Sequence, residues 1–300
     1  MASPTLLEGP SPVLSVIDRL DGLATIPVTA TRVADLVNDP RATADAIAAV
    51  LRSDQSLTAK VLKVANSAYY GIPGGVSDVK HAISFLGFNT LHQLVLTVSL
   101  IQALTSKGTD ALSLRALWLH SLACGALAEI IARRVGAPQP QSLFSCGLLH
   151  DIGKVALVQV AGDKFNDAVA LARERGIRLQ EAEKLVGLPT DELVGARLAE
   201  RWRFPLALRY AIGHRAFLAG EGRRTVPRNL MTNVDVTALA NLLVRRIRIG
   251  DPGDNVTPEI DPDILSRLNL GQLDVDSLRD DLLLAIEHSR VLLDLVSNPA

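Results

Sequence analysis

The sequence predicts an all-α protein, and three observations carry that prediction. Alanine and leucine fill the apolar positions while aromatic residues make up only 4% of the chain. Nowhere do apolar and polar residues alternate with the period of two that a half-buried strand needs, and no Asn-Gly hairpin signal occurs. Apolar residues instead recur every three and four positions in one segment after another, the spacing that puts them on one helical face.

The 300 residues, 48% hydrophobic and 21% charged, suffice for a sizeable buried core. With 31 basic against 32 acidic residues the chain has no overall field to draw in nucleic acid, so that partner class is not expected. Cys124 and Cys146 both lie in apolar helical patterns, where a reduced thiol behaves as a small hydrophobe. A reducing, cytoplasmic setting is the expectation. No apolar run reaches about 18 residues without a charge and no signal-peptide pattern opens the chain, so no membrane association is expected either.

Taken in order, residues 1–12 carry Pro4, Pro10 and Pro12 and read as a loose tail, followed by a first helix over 13–20. Ile26-Pro27 opens the next segment, and 43–51 is a short helix. Ser53 or Asp54 then caps a helix whose buried face is Leu57, Val61, Val64, Ala65, Ala68 and Tyr69, ended by Gly71 to Gly75. Ser77-Asp78 reopens a helix that runs through 81–86 to Gly87, and 90–104 is a long apolar one ended by Ser106-Lys107-Gly108. The helix over 112–135 buries a stripe of Leu119, Leu122, Ala123, Ala126 and Ile130, with His120 at its edge and Cys124 four residues on. An inward imidazole needs a partner, because burying an unpaired polar group costs a few kcal/mol. A structural hydrogen bond and metal ligation both satisfy that need.

The centre of the chain is Ser145-Cys146-Gly147-Leu148-Leu149-His150-Asp151-Ile152-Gly153-Lys154. It sets an imidazole beside a carboxylate within apolar helical surroundings, a pair suited to one divalent ion or to hydrogen bonds with neighbouring helices. Gly147 and Gly153 bracket the pair. Each costs about 1 kcal/mol relative to alanine inside a helix, which points to close backbone approach at both positions. Further on, 219–228 is a basic loop that solvation explains, 233–248 is a helix, 250–262 is irregular, and helices follow over 263–268 and 276–296, the last with Leu282, Ile286 and Leu293 on one side. No phosphate-cradling Gly-x-x-x-x-Gly-Lys-Ser, nucleophile elbow or zinc-finger spacing occurs. The apolar neighbours of Cys146 would raise its thiol pKa, which argues against a cysteine nucleophile.

Ile26-Pro27, the run from Ser53 to Tyr69 with its Ala65-Asn66-Ser67, Ala82 to Gly87, Trp118-Leu119-His120-Ser121 and Gly147 to Gly153 together resemble the HDOD family over about residues 18–215. The resemblance implies an all-α fold similar to HD-domain phosphohydrolases. It divides the chain into a domain over 13–217, with an N-terminal helical half (13–108) and an HD-like half (109–217), and a C-terminal helical extension (218–300) packed on the HD-like half. In the related hydrolases a histidine, an adjacent His-Asp pair and a later aspartate hold a metal that activates water. His120, His150 and Asp151 stand at the first three positions. At the fourth the pattern Ala-Asp-Leu is replaced by Ala240-Asn241-Leu242, and Asn241 is a weak ligand for a hard cation. Asp235, six residues or about 600° earlier, points elsewhere. His214 matches a histidine that extended HD phosphodiesterases use, whereas the other expected histidine is Asp191, which reads better as a helix cap.

The resemblance and the missing carboxylate imply a bacterial signal-transduction output module, non-catalytic, acting through a signalling protein or a small ligand such as a nucleotide. The degenerate pocket would hold iron, zinc or manganese on His120, His150, Asp151 and His214. The alternative is a metal-dependent phosphohydrolase or phosphodiesterase for a nucleotide or cyclic dinucleotide.

Overall fold

The structure is a computed structural model; it describes residues 16, 28–37, 39, 41–68, 70–104, 110–215, 221–271, 277–278 and 281–282. Among the described residues every regular element is helical, as the periodicity predicts. The tail over 1–12, most of the first predicted helix and most of the last lie outside the described residues.

α1 (Val28–Val37), α2 (Ala44–Arg52) and α3 (Gln55–Ala65) pack on α4 (Val79–Leu104). Thr43 and Asp54 start α2 and α3 by accepting from the amides of Ala46 and Leu57. This is the capping that helix N-termini favour. α3 stops at Ala65, four residues short of the predicted Tyr69, because the Asn66 side chain leaves the helical register. It donates to the Val76 carbonyl at 2.8 Å and accepts from the Val76 amide at 2.6 Å, tying down the loop between them. Ala68 is exposed as a result, and Tyr69 lies outside the described residues. α4 bends at Gly87, whose φ of 75° only glycine adopts readily.

α5 (Leu114–Arg134) pairs most closely with α6 (Pro140–Leu149). They approach so nearly that a Cβ on Gly147 would lie 2.7 Å from the Cα of Gly125. α7 (Ile152–Arg175) crosses α9 (Asp191–Arg201) in the same manner, with a Cβ on Gly153 falling 2.8 Å from the Gly195 amide nitrogen. The expectation of close backbone approach at both glycines holds. α8 (Leu179–Leu185) and α10 (Leu206–His214) complete this half, followed by the short α11 (Glu221–Arg224), α12 (Met231–Arg246) and α13 (Pro262–Leu268).

One apolar core runs from α1 through α4 into α6, α7, α9 and α10, so the two halves share an interior. A second cluster joins α5 to α12 and α13 through Ala123, Leu127, Ile131, Leu239 and Ile264. The stretches Val79–Ile101, Leu114–Arg134 and Pro140–Arg175 are long and apolar enough to cross a bilayer on length and composition, yet 61%, 78% and 89% of their apolar windows are buried within the protein. This corrects the expectation that no such run occurs, since residues 81–106 carry no Asp, Glu, Lys or Arg; their apolarity supplies the core.

Candidate functional site

His150 and Asp151 do not sit inside a continuous helix. α6 ends at Leu149 and α7 begins at Ile152, so the pair forms the junction between them. Both side chains are turned inward there, His150 wholly buried and Asp151 nearly so. From α5, His120 meets them on the neighbouring face; it is fully buried, not at the edge of the stripe, because α12 and the loop after it cover the side predicted to be open. The two imidazole centroids are 5.5 Å apart. The Asp151 Oδ2 atom lies 3.3 Å from His150 Nε2 and 3.9 Å from His120 Nε2.

Two cations converge on Asp151. Lys154, one turn along α7, donates to Oδ2 at 2.8 Å and to the Pro252 carbonyl at 2.8 Å. Arg215, just beyond α10, stands 3.0 Å from Oδ1 and also pairs with Asp191. Burial alone would raise the Asp151 pKa, but the fields of His150, Lys154 and Arg215 outweigh it and hold the carboxyl well below its ordinary range. Burial drives His120 the other way, well below the usual imidazole value. Asp151 opposes that shift while His150, Arg245 and Lys154 add to it, so the ring is neutral. Burial would likewise lower Arg215, yet Asp191, Asp151 and Glu192 raise it and keep it charged.

Asn241, on α12, occupies the expected fourth position and its carbonyl oxygen faces two donors, His120 Nε2 at 3.1 Å and Arg245 Nε at 3.2 Å. Arg245 is in turn held by Asp254 at 2.8 Å. The loop after α12 closes over the site. Asp251 donates its amide to the Ala116 carbonyl at 3.0 Å, Pro252 receives Lys154, and Asp254 receives the Leu179 amide. Gly250 makes this possible: its φ is 70°, and a Cβ there would lie 2.7 Å from the His120 Cα. Arg178, Gln180, Arg215, Asn241, Arg245 and Asp254 line what space remains, a cavity of about 30 Å³.

The other sequence candidates go elsewhere. His214 stacks on Tyr210 with centroids 5.1 Å apart, donates from Nδ1 to its carbonyl at 3.2 Å, and reaches the Thr225 hydroxyl at 3.3 Å. The group at this place that faces Asp151 is the next residue, Arg215. Asp191 is not the cap of α9; Thr190 is, accepting from the Leu193 amide. One residue further on, Asp191 points inward, where it accepts from Gln180 at 2.8 Å and pairs with Arg215. Asp235 is spent on Arg223 and Arg267, at 3.1 and 2.6 Å.

The pattern of His120 on one helix, a His-Asp pair at a helix junction and a facing α12 is accompanied by a direct match: the HDOD domain family model covers residues 23–216. The chain belongs to the HDOD family. This HDOD chain is similar to the crystal structure of an HDOD domain protein of unknown function from Geobacter sulfurreducens, with 27% identity and a TM-score of 0.74 over 94% of this chain and 97% of that one. A Marinobacter aquaeolei VT8 protein whose name proposes signal transduction superposes with a TM-score of 0.73 at 26% identity, over 94% of this chain and 61% of that one. A Shewanella amazonensis SB2B protein whose name proposes a phosphohydrolase gives 0.69 at 22% identity over 94% and 99%, a likeness of fold alone. An uncharacterized protein of Treponema pallidum (strain Nichols) is 25% identical over 195 residues, 64% of this chain and 37% of its own length. The HDOD chain therefore spans little more than a third of that relative.

Proposed function

We propose that this HDOD protein is a cytoplasmic signal-transduction output module that turns over no substrate and acts through contact with a partner protein. The observation that carries the reading is the closed centre. A cavity of about 30 Å³ admits one or two waters. Sites that take a nucleotide-sized ligand measure roughly 300–1,000 Å³, and the grooves of that size, about 510 and 690 Å³, are not lined by His120, His150 or Asp151. A catalytic hard cation also fits the residues poorly: Asn241 offers a neutral oxygen already shared by His120 and Arg245, and both Asp151 oxygens face cations. Phe85 and Phe88, 53% and 36% exposed on either side of the Gly87 bend, are large apolar side chains that a protein partner can cover.

The convergence of His120, His150 and Asp151 favours a second reading, metal-dependent hydrolysis of a nucleotide or cyclic dinucleotide. Assays on both substrate classes with added manganese, iron or magnesium separate the two. No turnover is expected. Turnover that His150→Ala and Asp151→Ala abolish would overturn the proposal.

A further inference from the structure

Away from the His-Asp centre, a groove of about 510 Å³ runs between the two halves of the fold. Leu36 on α1 and Leu86 and Phe88 at the α4 bend form its apolar side, and residues that open α6 stand opposite. Its volume lies in the range that takes a small ligand. Thr90, Gln93 and Gln141 line this groove and also a second space of about 10 Å³, so the groove leads inward to a cavity the size of one water molecule.

Two side chains at that deep end point to a ligand. Ser145 lines the cavity from α6, and its Oγ is buried without a hydrogen-bond partner, which few native polar atoms tolerate. Glu129 brings a buried carboxylate to the same wall from α5. Its ion-pair partner Arg133 is more than half exposed, so water screens the cation while the carboxylate acts through the dry interior. Burial first, and the Glu129 charge after it, push the Tyr70 phenol above its usual range, so this lining hydroxyl stays neutral. In the groove Asp39 is likewise paired outward, with Arg41, whose side chain is 90% exposed. Among the described residues, groove and cavity together are lined by these two carboxylates and by no Lys, Arg or His.

We propose that the groove and its cavity bind a small aliphatic amine, with the ammonium head between Glu129 and Ser145 and the hydrocarbon body along Leu86 and Phe88. An alkylammonium head is about the size of the water the cavity admits and carries three donors. The Glu129 carboxylate and the Ser145 hydroxyl oxygen accept two of them, and the amide oxygen of Gln93 or Gln141 is in the same wall for the third. The lining that attracts an ammonium repels a phosphate or carboxylate, so nucleotides are excluded from this site. Since α1 and α4 belong to one half and α5 and α6 to the other, the bound amine fastens the two together. This site stands whether or not the His-Asp centre turns over a substrate.

The test is calorimetric titration and thermal unfolding of the full chain at neutral pH and fixed ionic strength. The probes are n-butylamine and 1,4-diaminobutane, with n-butanol and butyrate as neutral and anionic counterparts. Saturable binding of an amine at about one site per chain with a rise in Tm is expected, and neither counterpart should bind. Glu129→Gln should weaken the amine by about tenfold or more, because a charge-assisted hydrogen bond is lost. Ser145→Ala should weaken it several-fold without lowering the Tm of the amine-free chain, since its hydroxyl has no partner to lose. An absence of saturable amine binding, equal binding of n-butanol or butyrate, or unchanged affinity in either variant overturns the proposal. Should Glu129→Gln fail to fold, nuclear Overhauser contacts from the amine methylenes on the unaltered protein decide the matter: contacts to the Phe88 ring and Leu86 methyls support the site, and contacts elsewhere alone overturn it.

Discussion

Replacing Asp151 with asparagine keeps the volume at the helix junction and removes one charge. Arg215 retains Asp191 and the Ile212 carbonyl at 3.0 Å, so it is still neutralised. Lys154 retains neutral acceptors alone, the Pro252 carbonyl at 2.8 Å and at most the new amide oxygen, and its side chain is 1% exposed. One ammonium is therefore stranded, and an uncompensated buried charge costs about 3–5 kcal/mol. For a chain of this size that corresponds to a fall of roughly 5–8 °C in Tm. Lys154→Met on its own leaves Asp151 with Arg215 and costs less. Added to Asp151→Asn it removes the stranded charge, so the double variant should recover about 2 kcal/mol relative to the sum of the single ones. Urea unfolding at neutral pH in the presence of chelator measures all three. Asp151→Asn within about 1 kcal/mol of the parent, or additivity within about 0.5 kcal/mol, would show that the carboxylate is not what keeps Lys154 in the core.

Glu183 behaves oppositely to Asp151 with pH. Burial and the nearby Asp191 raise its pKa well above the ordinary value, so the folded state holds a proton that the unfolded chain has released above about pH 4.3. Its contribution to stability falls as pH rises from there, and Glu183→Gln should flatten a plot of Tm against pH on that side. Asp151, whose folded pKa is depressed, supplies stability above about pH 3.9 that disappears as pH falls toward the folded value, and Asp151→Asn should remove this acid limb. Gly153→Ala drives a methyl into backbone of α9, where nothing can rotate away, and should lower stability by about 1–3 kcal/mol in the same unfolding assay. His214→Gln should leave the metal content of protein purified without chelator unchanged, since its ring is held by Tyr210 and Thr225; a change in that content would return His214 to the site.

The helical fold was legible because its signal is local and repeated: Leu57, Val61 and Val64 recur at helical spacing, and Thr43 and Asp54 mark helix starts. The central pair and its two flanking glycines were legible as well, since short side chains at helix crossings leave a compositional mark. What sequence could not resolve was direction. Arg215 and His214 are neighbours, about 100° apart on a helix, and only the packing of α10 against α7 and α9 decides which one meets Asp151. Arg245 lies one turn beyond Asn241, a spacing that could have suggested the contact, but a cation in the last turn of a helix is equally accounted for by the helix dipole. The loop over 249–256 looked merely irregular, because its bonds go to Ala116, Lys154 and Leu179, each more than 70 residues away.

That loop changes what counts as one piece of this protein. The family match stops at residue 216, yet the groups that satisfy His120 and Lys154 from the far side, Asn241, Ile249 and Pro252, all come later. A chain cut at residue 216 would keep every residue of the His-Asp centre and lose its lid, admitting water to an ammonium and an imidazole that the intact protein keeps dry. Such a fragment would be a misleading proxy in metal or activity assays, because truncation exposes the pocket from a side that Asn241, Ile249 and Pro252 cover in the longer chain.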